Sequence, residues 1–313
     1  MKKLKKISGD ASFRKFFRKC NGISSIVVFA KKEKFKNLLV YDAINKILIK
    51  NKILAPKLYV ENYHKNYIEI QDFGDETIFK ILLKKKEKLS YFKKILNVLN
   101  QLQKIKDRKI KNFKKKTYKI SKYTNKIIIS EANLFCNWYV KKKLPKYQKE
   151  IFTRKFKKII KKLASNLKMK NNVFVHRDFH VSNLMFINKQ IGVIDSQDAL
   201  IGNRAYDLAS LIDDVRIKTS KPLKNKIYNL YLSKCKNFNI KKFKNDFEIL
   251  SILRNLKIIG IFTRLAVRDG KKKYLKLIPY AWELINTRID ENIIFKDLKD
   301  LLNKNFKKEL NEN

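Results

Sequence analysis

The stretch that most limits what this chain can fold into is residues 176–199, HRDFHVSNLMFINKQIGVIDSQDA. Two short apolar runs, 184–187 and 191–194, flank Asn188-Lys189, the spacing of a tight β-hairpin. Asp178 and Asn183 precede the first run, and Asp195 closes the second, 12 positions after Asn183. A hairpin buried along both runs must therefore deliver three oxygen-bearing side chains to one edge. A polar loop that merely caps two strands is the structural alternative. The combination H-R-D-x-x-x-x-N, followed by a strand that ends in Asp, weighs against it. Such a set suits phosphoryl transfer, which asks for positioning, charge neutralisation and a carboxylate near the attacking hydroxyl. Asp178 is the candidate catalytic base. Asn183 and Asp195 are candidate Mg2+ ligands, because magnesium prefers oxygen donors and is completed by phosphate oxygens and water.

At 313 residues the chain has room for one large domain or for two lobes around a cleft. With 44% hydrophobic and 12% aromatic residues it can bury a core despite 33% charge. The formal charge of +47 invites a nucleic-acid or anionic-membrane reading. However, the lysines run along the whole chain, together with Ile, Asn, Phe and Tyr, as an AT-rich coding sequence would produce. Compositional drift is the preferred explanation, and the resulting field attracts anions, ATP included. Arginine is scarce beside lysine, so Arg14, Arg18, Arg177, Arg204, Arg216, Arg254, Arg264 and Arg268 stand out as candidate positions for a planar fork. Cys20, Cys136 and Cys235 show no paired spacing and read as reduced thiols. His176 and His180 read as hydrogen-bonding residues, since His64 is the only other histidine and a zinc set is lacking. The N-terminus has no apolar core after its lysines, and no apolar run approaches the ~18 residues of a membrane span. A soluble, cytoplasmic, monomeric protein without an obligate nucleic-acid partner is expected.

The first third predicts a small sheet and one helix. Residues 13–19 and 24–30 are strand-like around Asn21-Gly22, 34–50 has helical periodicity, and 67–71 is a further strand. Beyond residue 77 the pattern is mainly helical. Helices are expected over 77–106 with a break near 89–90, then 128–142, 147–168, 221–236, 241–268, 271–287 and 292–307. A short strand at 173–175 leads into the hairpin. Residues 104–126 are rich in lysine and weakly patterned, and read as a solvated connection without a site. The expected class is α+β, with a small β-rich N-terminal lobe over 1–71, a hinge at 72–76 and a larger, mainly helical catalytic and substrate lobe over 77–313.

Ser8, Gly9, Asp10, Ala11 and Ser12 form a small, polar turn whose N–H groups suit phosphate oxygens, with Arg14 following. Together with SGDASFRKFFR (8–18), the segments IEIQDFGDETI (68–78), NLFCNWYVKKKL (133–144), HRDFHVSNLMF (176–186), IGVIDSQDALIGNRAYDLASLIDD (191–214) and RNLKIIGIFTRLAVRDGKKKYL (254–275) resemble a known family. It is the protein-kinase-like aminoglycoside phosphotransferase superfamily, and within it the bacterial anomeric kinases of N-acetylmuramate and N-acetylglucosamine. The resemblance implies a bilobal protein-kinase-like fold, ATP and Mg2+ as cofactors, and a place in amino-sugar metabolism and peptidoglycan recycling. It implies that Gln71, Asp72 and Phe73 form the hinge whose backbone holds adenine. Asp198, Trp138, Arg264 and Arg268 are the candidates for the sugar pocket. Core packing is the alternative for Trp138, and a solvated helix face for Arg264 and Arg268.

Two departures stand out. The third strand, SSIVVFA, lacks the lysine that many of these kinases place on the α and β phosphates, and Lys31 and Lys32 come only after it. Arg14, Arg18 or the terminal lysines are the possible substitutes, or the anchor is missing. Asp195 is followed by Ser196 and Gln197 where a DFG-like element is usual. Two other functions remain open at this point: a kinase of an aminoglycoside, choline or another amino alcohol, and an inactive kinase-like protein that binds nucleic acid or acidic partners. The scarcity of carboxylates, 28 against 75 basic residues, argues against a cationic acceptor.

Overall fold

The computed structural model describes residues 4–7, 14–20, 22, 24–30, 37–235 and 239–311. These form two compact units, one made of Met1–Ser121 and Val173–Ile201 and the other of Lys122–Asn172 and Gly202–Asn313. These boundaries differ from a division at 72–76. The reason is that the hairpin at 184–193 packs on the helices at 78–84 and 89–104, and the turn at 196–198 packs on the helix at 37–50.

The first unit is built on a five-stranded antiparallel sheet of β1 (Leu4–Ile7), β2 (Lys15–Lys19), β3 (Ser25–Phe29), β4 (Leu58–Asn62) and β5 (Tyr67–Gln71), in the order β1-β2-β3-β5-β4. Ile26 and Val28 of β3 and Ile68 and Ile70 of β5 bury against Leu38 and Tyr41 of helix α1 (Asn37–Lys50). The central strands are the ones with dense apolar residues, and the sequence reading finds them. It misses β1 and β4, which lie at the sheet edges, where exposed and charged residues replace the alternating pattern. The helical run expected over 77–106 with a break near 89–90 is two helices, α2 (Ile78–Lys84) and α3 (Leu89–Lys104), with the break at the charged run 85–88. Thr77 caps α2, accepting a hydrogen bond from the Lys80 N–H.

Residues 104–126 are more ordered than their composition suggests. They contain a hairpin of β6 (Lys109–Lys111) and β7 (Thr117–Lys119), and the Phe113 N–H donates to Asp42 Oδ2 of α1 at 2.7 Å. The remaining strands are β8 (Asn171–Val175), β9 (Leu184–Ile187), β10 (Gln190–Val193) and β11 (Leu200–Asn203). β9 and β10 pair antiparallel, Leu184 opposite Val193 and Ile187 opposite Gln190. Asn188 and Lys189 both have positive φ, 47° and 63°, the twist-matched geometry of a two-residue hairpin. This hairpin is stitched to its own unit twice. Val193 N–H donates to Leu54 O, and Phe186 N–H donates to Glu76 O, both at 2.8 Å.

The second unit is helical. It contains α4 (Asn125–Ala132), a π-helical turn (Phe135–Val140), α5 (Lys141–Lys143), α6 (Lys146–Ser165), α7 (Ala205–Ile212), α8 (Lys221–Ser233), α9 (Ile240–Arg268), α10 (Ile278–Ile289) and α11 (Lys296–Asn311). The single helix expected over 128–142 is thus interrupted by the π turn. At that turn Gly260 of α9 lies so close that a β-carbon on it would sit 2.3 Å from the Leu134 carbonyl carbon. Helix α7 was not expected. All eight of its residues are buried, so it carries no polar stripe to reveal a helical period. The charge core of this unit is Asp213, which receives Lys224 Nζ at 2.9 Å, Arg288 Nε at 3.1 Å and Ser251 Oγ at 2.6 Å. Against its burial these partners hold the Asp213 carboxyl down at about 2. Among the described residues no helix is long and apolar enough to cross a membrane.

Candidate active site

β8 ends at the loop 176–183, and backbone hydrogen bonds fix that loop to the end of β10. His176 is fully buried, and its Nε2 donates to Ile194 O at 3.1 Å, which requires the Nε2–H form. Burial holds its pKa below the ordinary value, so the ring stays neutral. Ile194 N–H donates in turn to Asn183 O at 3.1 Å. Ile194 is thereby held through both its backbone groups, and Asp195 follows it directly. On the loop itself, the Asp178 carbonyl accepts from His180 N–H at 3.0 Å and from Asn183 Nδ2 at 3.1 Å. Asn183 Nδ2 also lies 3.3 Å from His180 Nε2. With its amide nitrogen engaged, Asn183 has Oδ1 left as the acceptor that a cation can use. The two histidines hydrogen-bond within this segment, and its bonds link Asp178 to Asn183 and Asn183 to Ile194, the residue before Asp195.

Two residues here have left-handed backbone conformations: Arg177, with φ 74°, and Asp195, with φ 61°. Strain of this kind is sustained only where the surroundings over-determine it. Arg177 Nη1 donates to Asp198 O at 3.1 Å. Asp195 opens a 3-10 turn, Ser196–Asp198, whose Ser196 Oγ donates to Asn45 Oδ1 at 2.7 Å while Asn45 Nδ2 donates to Pro56 O at 3.1 Å. Helix α1 is therefore tied to the residue after Asp195.

Arg14 is the cation of this site. Its Nη2 lies 3.0 Å from Asp195 Oδ1, its Nη1 donates to Asn37 Oδ1 at 3.2 Å, and its guanidinium carbon sits 5.9 and 5.8 Å from the ring centres of Phe16 and Tyr41. Burial pushes the Tyr41 hydroxyl up to about 12, with the Asp195 charge adding to the rise. Burial raises the Asp195 pKa, Arg14 opposes the rise, and the Asp178 and Asp198 charges add to it. The Asp195 side chain keeps 36% of its surface open, so water moderates this push. Asn37, Tyr41 and Asn45 follow one another at intervals of four on α1, alongside a charged row of Asp42, Lys46 and Lys50. The four-residue repeat is the signal by which the sequence could have revealed them.

Arg18 faces the hinge. Its Nε and Nη2 lie 2.6 and 3.1 Å from the two Asp72 oxygens, and its Nη1 lies 2.7 Å from Asp75. Asp72 also accepts from Ser24 Oγ at 2.6 Å and from Gly74 N–H at 2.8 Å. Despite burial, the bonds from Arg18, Ser24 and Gly74 hold the Asp72 carboxyl below the usual carboxylate range. Arg18 and Asp72 side chains are thus engaged with each other. Gln71 Oε1 is buried without a hydrogen-bond partner among the described residues, an acceptor open to a ligand donor. Phe73 packs on Gly192 of β10, where an added β-carbon would come within 3.0 Å of its ring.

Ser8, Gly9, Asp10, Ala11 and Ser12 lie outside the described residues, as do Lys31 and Lys32. Asp198 is exposed and accepts from Gln197 Nε2 at 2.9 Å. In the helical unit Trp138 is half-buried on the π turn and Arg264 is half-buried on α9. Arg268 is exposed and forks onto Asp269 at 2.7 and 2.9 Å. Among the described residues no three His, Cys, Asp or Glu side chains are placed to hold a metal alone. Asn183 Oδ1 and the Asp195 carboxylate nevertheless fit magnesium that arrives on a nucleotide, because such an ion keeps its phosphate and water ligands.

A family model described as the phosphotransferase enzyme family matches residues 3–232. Over 301 residues the chain is 26% identical to an N-acetylmuramate/N-acetylglucosamine kinase of Pseudomonas aeruginosa, covering 94% of this chain and 86% of the relative. Over 280 residues it is 27% identical to a protein of the same name from Neisseria meningitidis, covering 87% and 81%. Among solved structures, an ADP-bound aminoglycoside phosphotransferase aligns with a TM-score of 0.57 at 16% identity, over 94% of each chain. The fold is that of the protein-kinase-like phosphotransferases, with a β-sheet N-terminal region and a helical C-terminal region.

Proposed function

Since the chain belongs to the phosphotransferase enzyme family, we propose that it transfers the γ-phosphoryl group of ATP to the anomeric hydroxyl of N-acetylmuramate or N-acetylglucosamine. The acceptor follows the printed names of its relatives in Pseudomonas aeruginosa and Neisseria meningitidis. The observation that carries the catalytic part is the network of side-chain and backbone hydrogen bonds that links Asp178, Asn183 and the residue before Asp195.

In this reading Asp178 orients the acceptor hydroxyl and takes its proton as the phosphoryl group departs from ADP. Asn183 Oδ1 and the Asp195 carboxylate hold Mg2+, which when bound neutralises charge on the phosphates. Arg14 replaces the missing strand lysine. Its fork, which rests on Asp195 at 3.0 Å, would supply the positive charge that the phosphates need beside that carboxylate. Residues 8–12 cradle the phosphates, and the hinge at 72–76 with Gln71 receives adenine, residues 1–71 serving as the nucleotide lobe and 77–313 as the catalytic and substrate lobe. Asp198, Trp138, Arg264 and Arg268 bind the acceptor. The enzyme works as a monomer in the cytoplasm, in peptidoglycan recycling.

The test is ADP release measured over a panel of N-acetylmuramate, N-acetylglucosamine, aminoglycosides and choline, with phosphorus NMR of the product. An anomeric phosphate on an N-acetylated amino sugar is expected. Turnover of amino alcohols or aminoglycosides alone would refute the acceptor. Asp178→Ala is expected to lower kcat by roughly 10²–10⁴-fold with nucleotide binding retained, and an unchanged kcat would remove its role.

A further inference from the structure

We propose that Asn45 and Ser196 are a positioning pair for Asp195: the buried hydrogen bond between them fixes the turn from which the Asp195 carboxylate projects. The inference rests on the reading above, in which Asp195 is a Mg2+ ligand. It adds two residues that do not touch the metal and yet set how well that ligand works.

Asp195 needs support on both sides. Its backbone has φ 61° and ψ 38°, a left-handed conformation uncommon for a residue with a β-carbon. Without restraint the chain relaxes out of this region and the carboxylate turns with it. Upstream, Ile194 is held by the Asn183 carbonyl and by His176 Nε2. Downstream, Ala199 N–H closes the turn on Ser196 O at 3.1 Å, and Arg177 Nη1 reaches Asp198 O from the neighbouring loop. The Ser196 hydroxyl extends further, to Asn45 Oδ1 of α1 at 2.7 Å.

This bond is shielded and anchored. Ser196 is 0% exposed and Asn45 4%, so bulk water does not stand in for either partner. Asn45 is itself fixed, because its Nδ2 donates to Pro56 O on the chain that enters β4. A serine that opens a turn commonly bonds its own backbone; this one bonds a helix side chain 151 positions away. About two turns earlier on α1, Asn37 accepts from Arg14 Nη1, while Arg14 Nη2 lies on Asp195 Oδ1. Helix α1 thus meets Asp195 twice, through the cation on its carboxylate and through the backbone beside it. The alternative is that two buried polar atoms simply satisfy each other, which would affect the fold and leave the metal untouched.

Calorimetry of ADP binding in MgCl2 and in EDTA gives, as a ratio of affinities, the strengthening that the metal confers. Ser196→Ala removes one oxygen. The ratio is expected to fall by roughly 10-fold, with the affinity in EDTA changed less than about twofold. Asn45→Ala is expected to lower the ratio alike, and Ser196→Ala added to it to cost less than about twofold more, since both act through one bond. An unchanged ratio in Ser196→Ala would overturn the proposal, as would independent losses that multiply in the double variant. Equal losses of affinity in MgCl2 and in EDTA would mark a structural bond and overturn it too. If Ser196→Ala does not fold, Ser196→Cys, of similar shape and a weaker donor, decides: an undiminished ratio overturns the pairing. Asp195→Asn tests the underlying reading separately. If Mg2+ does not strengthen ADP binding to the wild type, or Asp195→Asn keeps the full ratio, the metal role of Asp195 fails, and this inference with it.

Discussion

Replacing Gly260 by alanine puts a single methyl group where two backbones already touch. The added carbon would lie 2.3 Å from the Leu134 carbonyl carbon, 2.4 Å from its oxygen and 2.6 Å from the Phe135 nitrogen. Ordinary contacts of this kind are about 3.5 Å, so α9 and the π turn must part by roughly an ångström. None of the three atoms can rotate aside, because all belong to the main chain. Alanine gains about 1 kcal/mol of helix propensity over glycine. Against this stand about 1–3 kcal/mol of overpacking and lost dispersion, since a gap of ~0.5–1 Å forfeits a quarter to a half of each contact. That gap opens beneath Phe135, whose ring packs with Phe152, Phe156, Trp282 and Phe306 at centroid distances of 5.6 to 6.1 Å. The net expectation is a loss of about 2 kcal/mol, or roughly 1 M in urea midpoint at a slope of about 2 kcal/mol per M. Trp282, 1% exposed and in edge contact with Phe135, reports the transition by fluorescence. An unchanged or higher midpoint for Gly260→Ala would show that the helices do not approach as described.

Asp213 supplies a pH dependence. Its folded pKa of about 2 lies below its unfolded value, so its contribution is present above roughly pH 4 and is lost as pH falls through about 2. The shift corresponds to roughly 2 kcal/mol. Urea midpoints taken between neutral pH and pH 2 should show this loss, and Asp213→Asn, destabilised at neutral pH, should show a smaller acid dependence. Arg18→Ala leaves the largely buried Asp72 without its fork and should cost roughly 2–3 kcal/mol while raising KM for ATP. Partial recovery of stability by Asp72→Asn in the Arg18→Ala background would support the staple, and a neutral Arg18→Ala would refute it.

Much of this molecule was legible as sequence because its signals are local. The hairpin at 184–193 is declared by two apolar runs around Asn188-Lys189, and the acids at its ends follow from chain spacing alone. Helices with one buried stripe, such as α3 and α6, announce their period. Where the environment is uniform the pattern disappears: α7 is buried all round, and the edge strands β1 and β4 are exposed. What only the tertiary structure decided is which charge meets which. Arg14 and Arg18 are four residues apart and chemically identical, yet one reaches Asp195 and the other reaches Asp72 and Asp75. Residue type and spacing along the chain determine what a side chain is able to do. Partners 54 to 181 positions away are chosen by sheet order and strand register, which arise only when distant segments pack.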